Sequence, residues 1–206
     1  MPRIPARVRR EARLASRIDH PNVMYIFDFG QTDDGRAYLA MEFLDGPTLA
    51  QVVASEGRLP IERARDLLTQ IADALAAAHD CGVVHRDLKP HNVVLTVASG
   101  RSDWVKVVDF GLAKMMGNEP SVGIPVQGQT FGSPQYMAPE QCMDGHGVDP
   151  RADLHSFGIV AYELLTGSVP FKGRAIDVLR AQLEHTPPAP SAAAQGRPEI
   201  SAALDA

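Results

Sequence analysis

The chain has 206 residues, of which 45% are hydrophobic, 22% charged and 6% aromatic, the profile of a globular protein rather than a disordered one. That length supports one or two domains, with a core that needs no disulfide or metal staple. Twenty basic side chains against 25 acidic ones leave a net charge of −5, which gives no overall electrostatic case for nucleic-acid binding, and two cysteines, Cys81 and Cys142, are too few for a disulfide framework.

In chain order, Val8, Ala12, Ala15 and Ile18 recur at helical spacing among arginines, which predicts a first helix over residues 7–18 with a thin apolar stripe and a solvated basic face. Glu11 interrupts this basic start, which also lacks the apolar centre of a secretory signal. His20-Pro21-Asn22 ends the helix. Val23 to Phe29 reads as a strand, Asp34-Gly35 as a hairpin turn and Ala37 to Leu44 as the partner strand, a pair with an edge open to association. Asp45-Gly46-Pro47 breaks the pattern, and a short helix follows through Val53.

The strongest periodic signal lies after Gly57. Pro60 suits a first helical turn, Ala64, Leu67, Leu68, Ile71, Leu75 and Ala78 form one face, and Gly82 sits where the helix ends. Val93 to Val97 and Val105 to Val108 read as strands around a polar turn, Ala98 to Asp103. From Met115 to Thr130 no period is present, so a long irregular loop is expected. Leu154 to Leu165 is apolar almost all round and reads as a buried helix closed by Gly167, although His155, Ser156 and Glu163 interrupt it too often for a membrane span. Ile176 to Leu183 suggests one more helix, and the Pro- and Ala-rich stretch from Pro187 to Pro198 a linker.

The chemistry concentrates in His85-Arg86-Asp87-Leu88-Lys89-Pro90-His91-Asn92, followed by Asp109-Phe110-Gly111 and Ala138-Pro139-Glu140. Asp87 sits in a loop beside Lys89, Asn92 begins an apolar strand and Asp109 ends another, so oxygen ligands from two strands can converge. A hard cation such as Mg2+ takes such ligands and shares them with phosphate oxygens. Phosphoryl transfer then needs positioning and charge neutralisation, with one carboxylate orienting the attacking hydroxyl.

These motifs, in this order, resemble the eukaryotic-type protein kinases, and Lys89 two places after Asp87 resembles their serine/threonine branch. The wording of Gln135 to Gln141 and of Leu154 to Gly167 is most similar to bacterial members. The loop motif alone is expected by chance in on the order of one in 10⁷ to 10⁸ positions. The resemblance implies an α+β kinase-like fold: a partial smaller lobe over residues 1–44, with the first helix, two strands and a hinge, and a mostly helical larger lobe over 45–206. It implies Asp87 as catalytic base, Asn92 and Asp109 as magnesium ligands, and Lys89 meeting the transferred phosphate. Glu42, Phe43 and Leu44 would present hinge backbone to adenine, with Met41 as gatekeeper, and Glu11 would be the glutamate that pairs a strand lysine.

It further implies that Arg86 meets a phosphate on Thr130 or Ser121, that Ser133 contacts substrate, and that Asp153 braces the catalytic loop. His85 and Phe110 are expected to pack, and His79, His91, His146, His155 and His185 to be solvated or structural. The expected activity is transfer of the ATP γ-phosphate to a Ser/Thr hydroxyl of a protein, in the cytoplasm, with ATP and Mg2+ and with neither nucleic acid nor a membrane segment. Ten residues before Glu11 leave no room for a glycine-rich loop or its lysine, and the family's last helices would follow Ala206. A chain cut at both ends is therefore expected, inactive or weakly ATP-binding by itself, and the alternative reading is a pseudokinase or protein-interaction fragment.

Overall fold

The computed structural model describes residues 13–98, 100–110, 133–143 and 148–194. Its architecture is α+β, a helical part with two separate two-stranded antiparallel sheets among the described residues. Residues 13–15 are helical, and Ala15 and Ile18 are buried. Val8, Glu11 and Ala12 lie outside the described residues.

Strands β1 (Ile26–Gln31) and β2 (Ala37–Met41) pair with Phe29 opposite Leu39 and Gln31 opposite Ala37. Gly35 turns the chain with φ 87°, which glycine adopts without a Cβ penalty. The first strand begins later than its apolar pattern suggests because the preceding residues are captured elsewhere. Val23 bridges Val107 in parallel, and Met24 N–H donates to the Val107 carbonyl at 2.9 Å.

Helix α1 (Leu49–Glu56) starts with a capping box: the Thr48 hydroxyl accepts from Gln51 N–H, and the Gln51 side chain accepts from Thr48 N–H. Just before it, a Cβ on Gly46 would stand 1.9 Å from the Leu95 carbonyl oxygen, so only glycine lets this segment lie against β3 (Val93–Ala98). Helix α2 (Ile61–Asp80) buries Ala64, Leu67, Ile71, Ala74, Leu75 and Ala78 on one face, while Leu68 is only partly covered. Pro60 is its N-cap rather than a first-turn residue.

Strand β4 (Arg101–Val107) pairs with β3, Val93 opposite Val107 and Leu95 opposite Val105. The expected polar turn is therefore tighter than Ala98 to Asp103. Arg101, Ser102 and Asp103 belong to the strand because its outer end faces solvent and is held by the ladder rather than by burial.

Helices α3 (Pro139–Met143), α4 (Pro150–Thr166), α5 (Ala175–Glu184) and α6 (Pro190–Ala193) follow. Asp149 caps α4 through Arg151 N–H, and Gly167 closes it at φ 85°. The all-round burial expected of α4 does not hold at Leu154, which is 59% exposed, since only one side of the helix meets the core. The linker expected from Pro187 contains α6, whose first turn Pro190 starts. Leu49, Leu59, Leu67, Ile71, Val160 and Leu164 join one core, and each fully buried side chain of this size contributes about 2 kcal/mol relative to exposure. Leu59 N–H also donates to the Leu164 carbonyl at 2.8 Å, fastening the start of α2 to α4.

Candidate active site

The loop between α2 and β3 carries Asp87, Lys89 and Asn92 close together. Lys89 Nζ donates to Asp87 Oδ2 at 2.7 Å, and Asn92 Nδ2 donates to the Asp87 carbonyl at 2.9 Å and to Oδ2 at 3.3 Å. A single turn of 3₁₀ helix, Pro90–Asn92, brings Asn92 back under Asp87, with Pro90 supplying a fixed φ at its start. Asn92 is buried, and its amide nitrogen is committed to Asp87, so its side-chain Oδ1 is the group it can offer to a ligand.

The strand pairing continues past the ladder and brings Asp109 beside this loop. Val108 N–H donates to the Asn92 carbonyl at 3.0 Å, so Asn92 and Asp109 leave the adjacent ends of β3 and β4. Asp109 has φ 63°, a left-handed conformation unusual outside glycine. His85 joins the two segments: its Nε2–H donates to the Val108 carbonyl at 2.9 Å, its Nδ1 accepts from Asp87 N–H at 3.3 Å, and its ring lies 4.7 Å from that of Phe110. Both partners together define a neutral imidazole with the proton on Nε2. Burial holds its pKa below the ordinary histidine range, against the pull of the Asp153, Asp87 and Asp109 carboxylates.

Asp153 on α4 is 0% exposed, and its carboxylate accepts from His85 N–H and Arg86 N–H, each at 2.8 Å, and from His79 Nε2 at 2.7 Å. A fully buried carboxylate is tolerable here because three donors replace its hydration. Arg86 has φ 67°, and its buried Nε has no partner among the described residues.

At the other side, Glu42 is held by its side chain: Oε1 accepts from Tyr25 N–H and from Lys106 Nζ, both at 2.7 Å. Its own N–H donates to the Tyr25 carbonyl at 3.0 Å, which leaves the Glu42 carbonyl for other use. Met41 is exposed, Phe43 strongly so, and Leu44 partly buried. Near α3, Tyr136 Oη donates to Glu163 Oε2 at 2.6 Å, and burial raises the pKa of both groups. Burial also pushes the Cys142 thiol up to about 11, which keeps it protonated and unreactive at neutral pH. Glu11, Gly111, Ser121, Thr130 and His146 lie outside the described residues.

Sequence reasoning missed three contacts here: the His79–Asp153 bond, the Lys106–Glu42 ion pair, and a bond from Gln141 Nε2 to the Arg86 carbonyl at 2.8 Å. Each joins side chains or backbone far apart in the chain, which no local pattern signals.

Known proteins match this architecture. The family model described as "Protein kinase domain" matches residues 2–195. Among curated relatives, serine/threonine-protein kinase pkn3 of Myxococcus xanthus is 39% identical over 92% of this chain and 35% of the relative. Pkn1 of the same organism is 44% identical over 99% of this chain and 28% of the relative. The chain thus spans about a third of the length of these relatives. The solved kinase domain of Mycobacterium tuberculosis PknI superposes with a TM-score of 0.69 at 30% identity, covering 96% of this chain and 68% of that one. With a family match over most of its length and a solved kinase domain sharing its fold, the chain belongs to the protein kinase family.

Proposed function

We propose that this chain is an ATP-dependent serine/threonine protein kinase, transferring the terminal phosphate of ATP to a hydroxyl on a protein substrate. The observation that carries the reading is the junction of Asp87, Lys89 and Asn92 within hydrogen-bond distance, beside the strand end that bears Asp109.

In this reading Asp87 orients the substrate hydroxyl and accepts its proton. Both side-chain contacts recorded for Asp87 go to Oδ2, so Oδ1 is the oxygen that meets the hydroxyl. Lys89, partly shielded at 17% side-chain exposure, neutralises charge on the phosphate in transit and meanwhile fixes the Asp87 rotamer. The Asn92 side-chain Oδ1 and the Asp109 carboxylate are hard oxygen donors of the kind Mg2+ takes. Asn92 and Asp109 would hold a Mg2+ together with the bound nucleotide; among the described residues no group of three or more His, Cys, Asp or Glu offers a metal site by itself. Such an ion, when bound, supplies charge neutralisation at the β- and γ-phosphates.

Backbone groups of Glu42 and Leu44 receive the adenine, with the smaller lobe over 1–44 and the larger over 45–206 meeting at that segment, and Glu11 is the glutamate that would pair a phosphate-binding lysine. The Arg86 guanidinium meets a phosphate on Thr130 or Ser121. The domain works in the cytoplasm, where ATP is available and Cys81 and Cys142 stay free thiols; among the described residues no helix is long and apolar enough to cross a membrane.

The test is radiolabelled phosphate transfer from ATP and Mg2+ to a generic serine- and threonine-rich protein. Asp87→Asn should lower turnover by about 100-fold or more while leaving the far-UV spectrum unchanged, as loss of a positioned base does. Equal turnover in the variant would overturn the reading, and no turnover in the wild type would favour the pseudokinase or protein-interaction alternative.

A further inference from the structure

The peptide that carries Asp87 is held in an unusual way. Arg86 stands at φ 67°, a left-handed conformation that a side-chain-bearing residue keeps only when its surroundings enforce it. Its N–H is taken by Asp153 Oδ1 at 2.8 Å. Its carbonyl is taken by Gln141 Nε2, also at 2.8 Å. Gln141 is itself fixed, because its Oε1 accepts from Ala138 N–H at 3.0 Å. Both halves of one amide are therefore used, one to close its own α3 turn and one to reach across 55 residues to the loop.

The Arg86 carbonyl and the Asp87 N–H belong to one planar unit and point in opposite directions. Gln141 grips the first edge at 2.8 Å, and His85 Nδ1 receives the second at a longer 3.3 Å. Rotation of this plane would swing Asp87 relative to Lys89 and Asn92, which contact its side chain and carbonyl. The stronger of the two restraints on that rotation is the one supplied by Gln141.

We propose that Gln141 is a positioning residue for Asp87. It locks the Arg86–Asp87 peptide plane and ties the orientation of the Asp87 carboxylate to the segment from Ala138 to Met143. This inference rests on the reading of Asp87 as the residue that orients the substrate hydroxyl. A coupling of this kind makes phosphate transfer sensitive to how residues 138–143 are seated, without Gln141 touching either substrate.

The experiment compares the full chain with Gln141→Glu and Gln141→Leu. Glutamate keeps the size and the acceptor for Ala138 N–H but places an oxygen against the Arg86 carbonyl; leucine removes both bonds. Backbone hydrogen exchange should quicken about tenfold over residues 84–90 in both variants, as expected for loss of one part-buried hydrogen bond, with residues 61–80 unchanged. In steady-state kinetics kcat should fall about tenfold while KM for ATP stays within about twofold, the split expected when only transition-state geometry is lost. Wild-type exchange and wild-type kcat in Gln141→Glu would overturn the proposal, as would acceleration spread evenly over residues 61–80. A wild-type chain without turnover fails the kinase reading, and the exchange over residues 84–90 then decides the positioning role by itself.

Discussion

Around Asp87, the backbone is held by side chains, Asp153 and Gln141 from distant parts of the chain and His85 from within the loop, whereas the β1–β2 hairpin is held by its own ladder. Asp153 takes the His85 and Arg86 N–H groups, Gln141 takes the Arg86 carbonyl, and His85 takes the Asp87 N–H. The hairpin, by contrast, leaves Tyr25, Phe27 and Phe43 at 49%, 65% and 91% exposure, with the first two rings in edge contact at 5.2 Å. The difference teaches where geometry is imposed and where it is only local. A loop with a left-handed arginine needs outside partners to hold its shape, while an antiparallel pair satisfies its backbone within itself. Substitutions in the two regions should therefore differ in size and in kind.

The largest effect should come from Asp153→Ala. Three donors, His85 N–H, Arg86 N–H and His79 Nε2, would lose the acceptor that the fully buried Asp153 carboxylate supplies. At about 1–3 kcal/mol for each unsatisfied buried group, partly relieved by relaxation, a loss of about 4 kcal/mol is expected. Urea denaturation measures it as a lower midpoint at unchanged slope. A loss under about 1 kcal/mol would show that the loop holds its shape without α4, and the contrast with the hairpin would collapse.

The asymmetry between the regions also explains what could be read from the sequence. Helix α2 was legible because Ala64, Leu67, Ile71, Leu75 and Ala78 repeat at the helical period, and burial of that face is what forms the helix. The candidate site was legible as a motif because Asp87, Lys89 and Asn92 lie within one short loop. Their support was not: Asp153 contacts residues 67 and 68 positions earlier, and Gln141 one 55 positions earlier, so neither bond leaves a local pattern. Only the resemblance to kinases pointed to Asp153. Apolar counting also failed where burial does not decide the structure, at the polar strand residues Arg101 to Asp103 and at exposed Leu154.

Next in size is a pH effect that belongs to the loop alone. His85 is buried and neutral, donating to the Val108 carbonyl and accepting from Asp87 N–H, so protonation would cost it the second bond. Its folded pKa lies below the ordinary value of 6.5. Below that value the unfolded chain binds a proton that the folded chain refuses, so this contribution is complete above pH 6.5 and is lost as pH falls through it. The loss should approach about 1.4 kcal/mol per pH unit at most. Urea midpoints at about pH 7.5, 6.5 and 5.5 should show it, and His85→Phe, which keeps a ring against Phe110, should flatten the profile. An equally steep profile in that variant would assign the pH dependence to other groups.

The smallest effect should come from the hairpin. Phe27 is 65% exposed and touches Tyr25 edge-on, so Phe27→Ser removes one exposed ring contact while β1 and β2 keep their backbone pairing. A cost near 0.5 kcal/mol is expected, since surface substitutions away from buried networks fall in that range. The same change should reduce light scattering at high concentration, because exposed aromatics beside an open strand edge favour self-association. If Phe27→Ser instead costs about 2 kcal/mol or more, the ring is covered in solution by something it packs against, and the hairpin is held from outside just as the loop is. The two regions would then differ in which partner supplies the support, and concentration dependence of the urea midpoint would show whether that partner is a second copy of the chain.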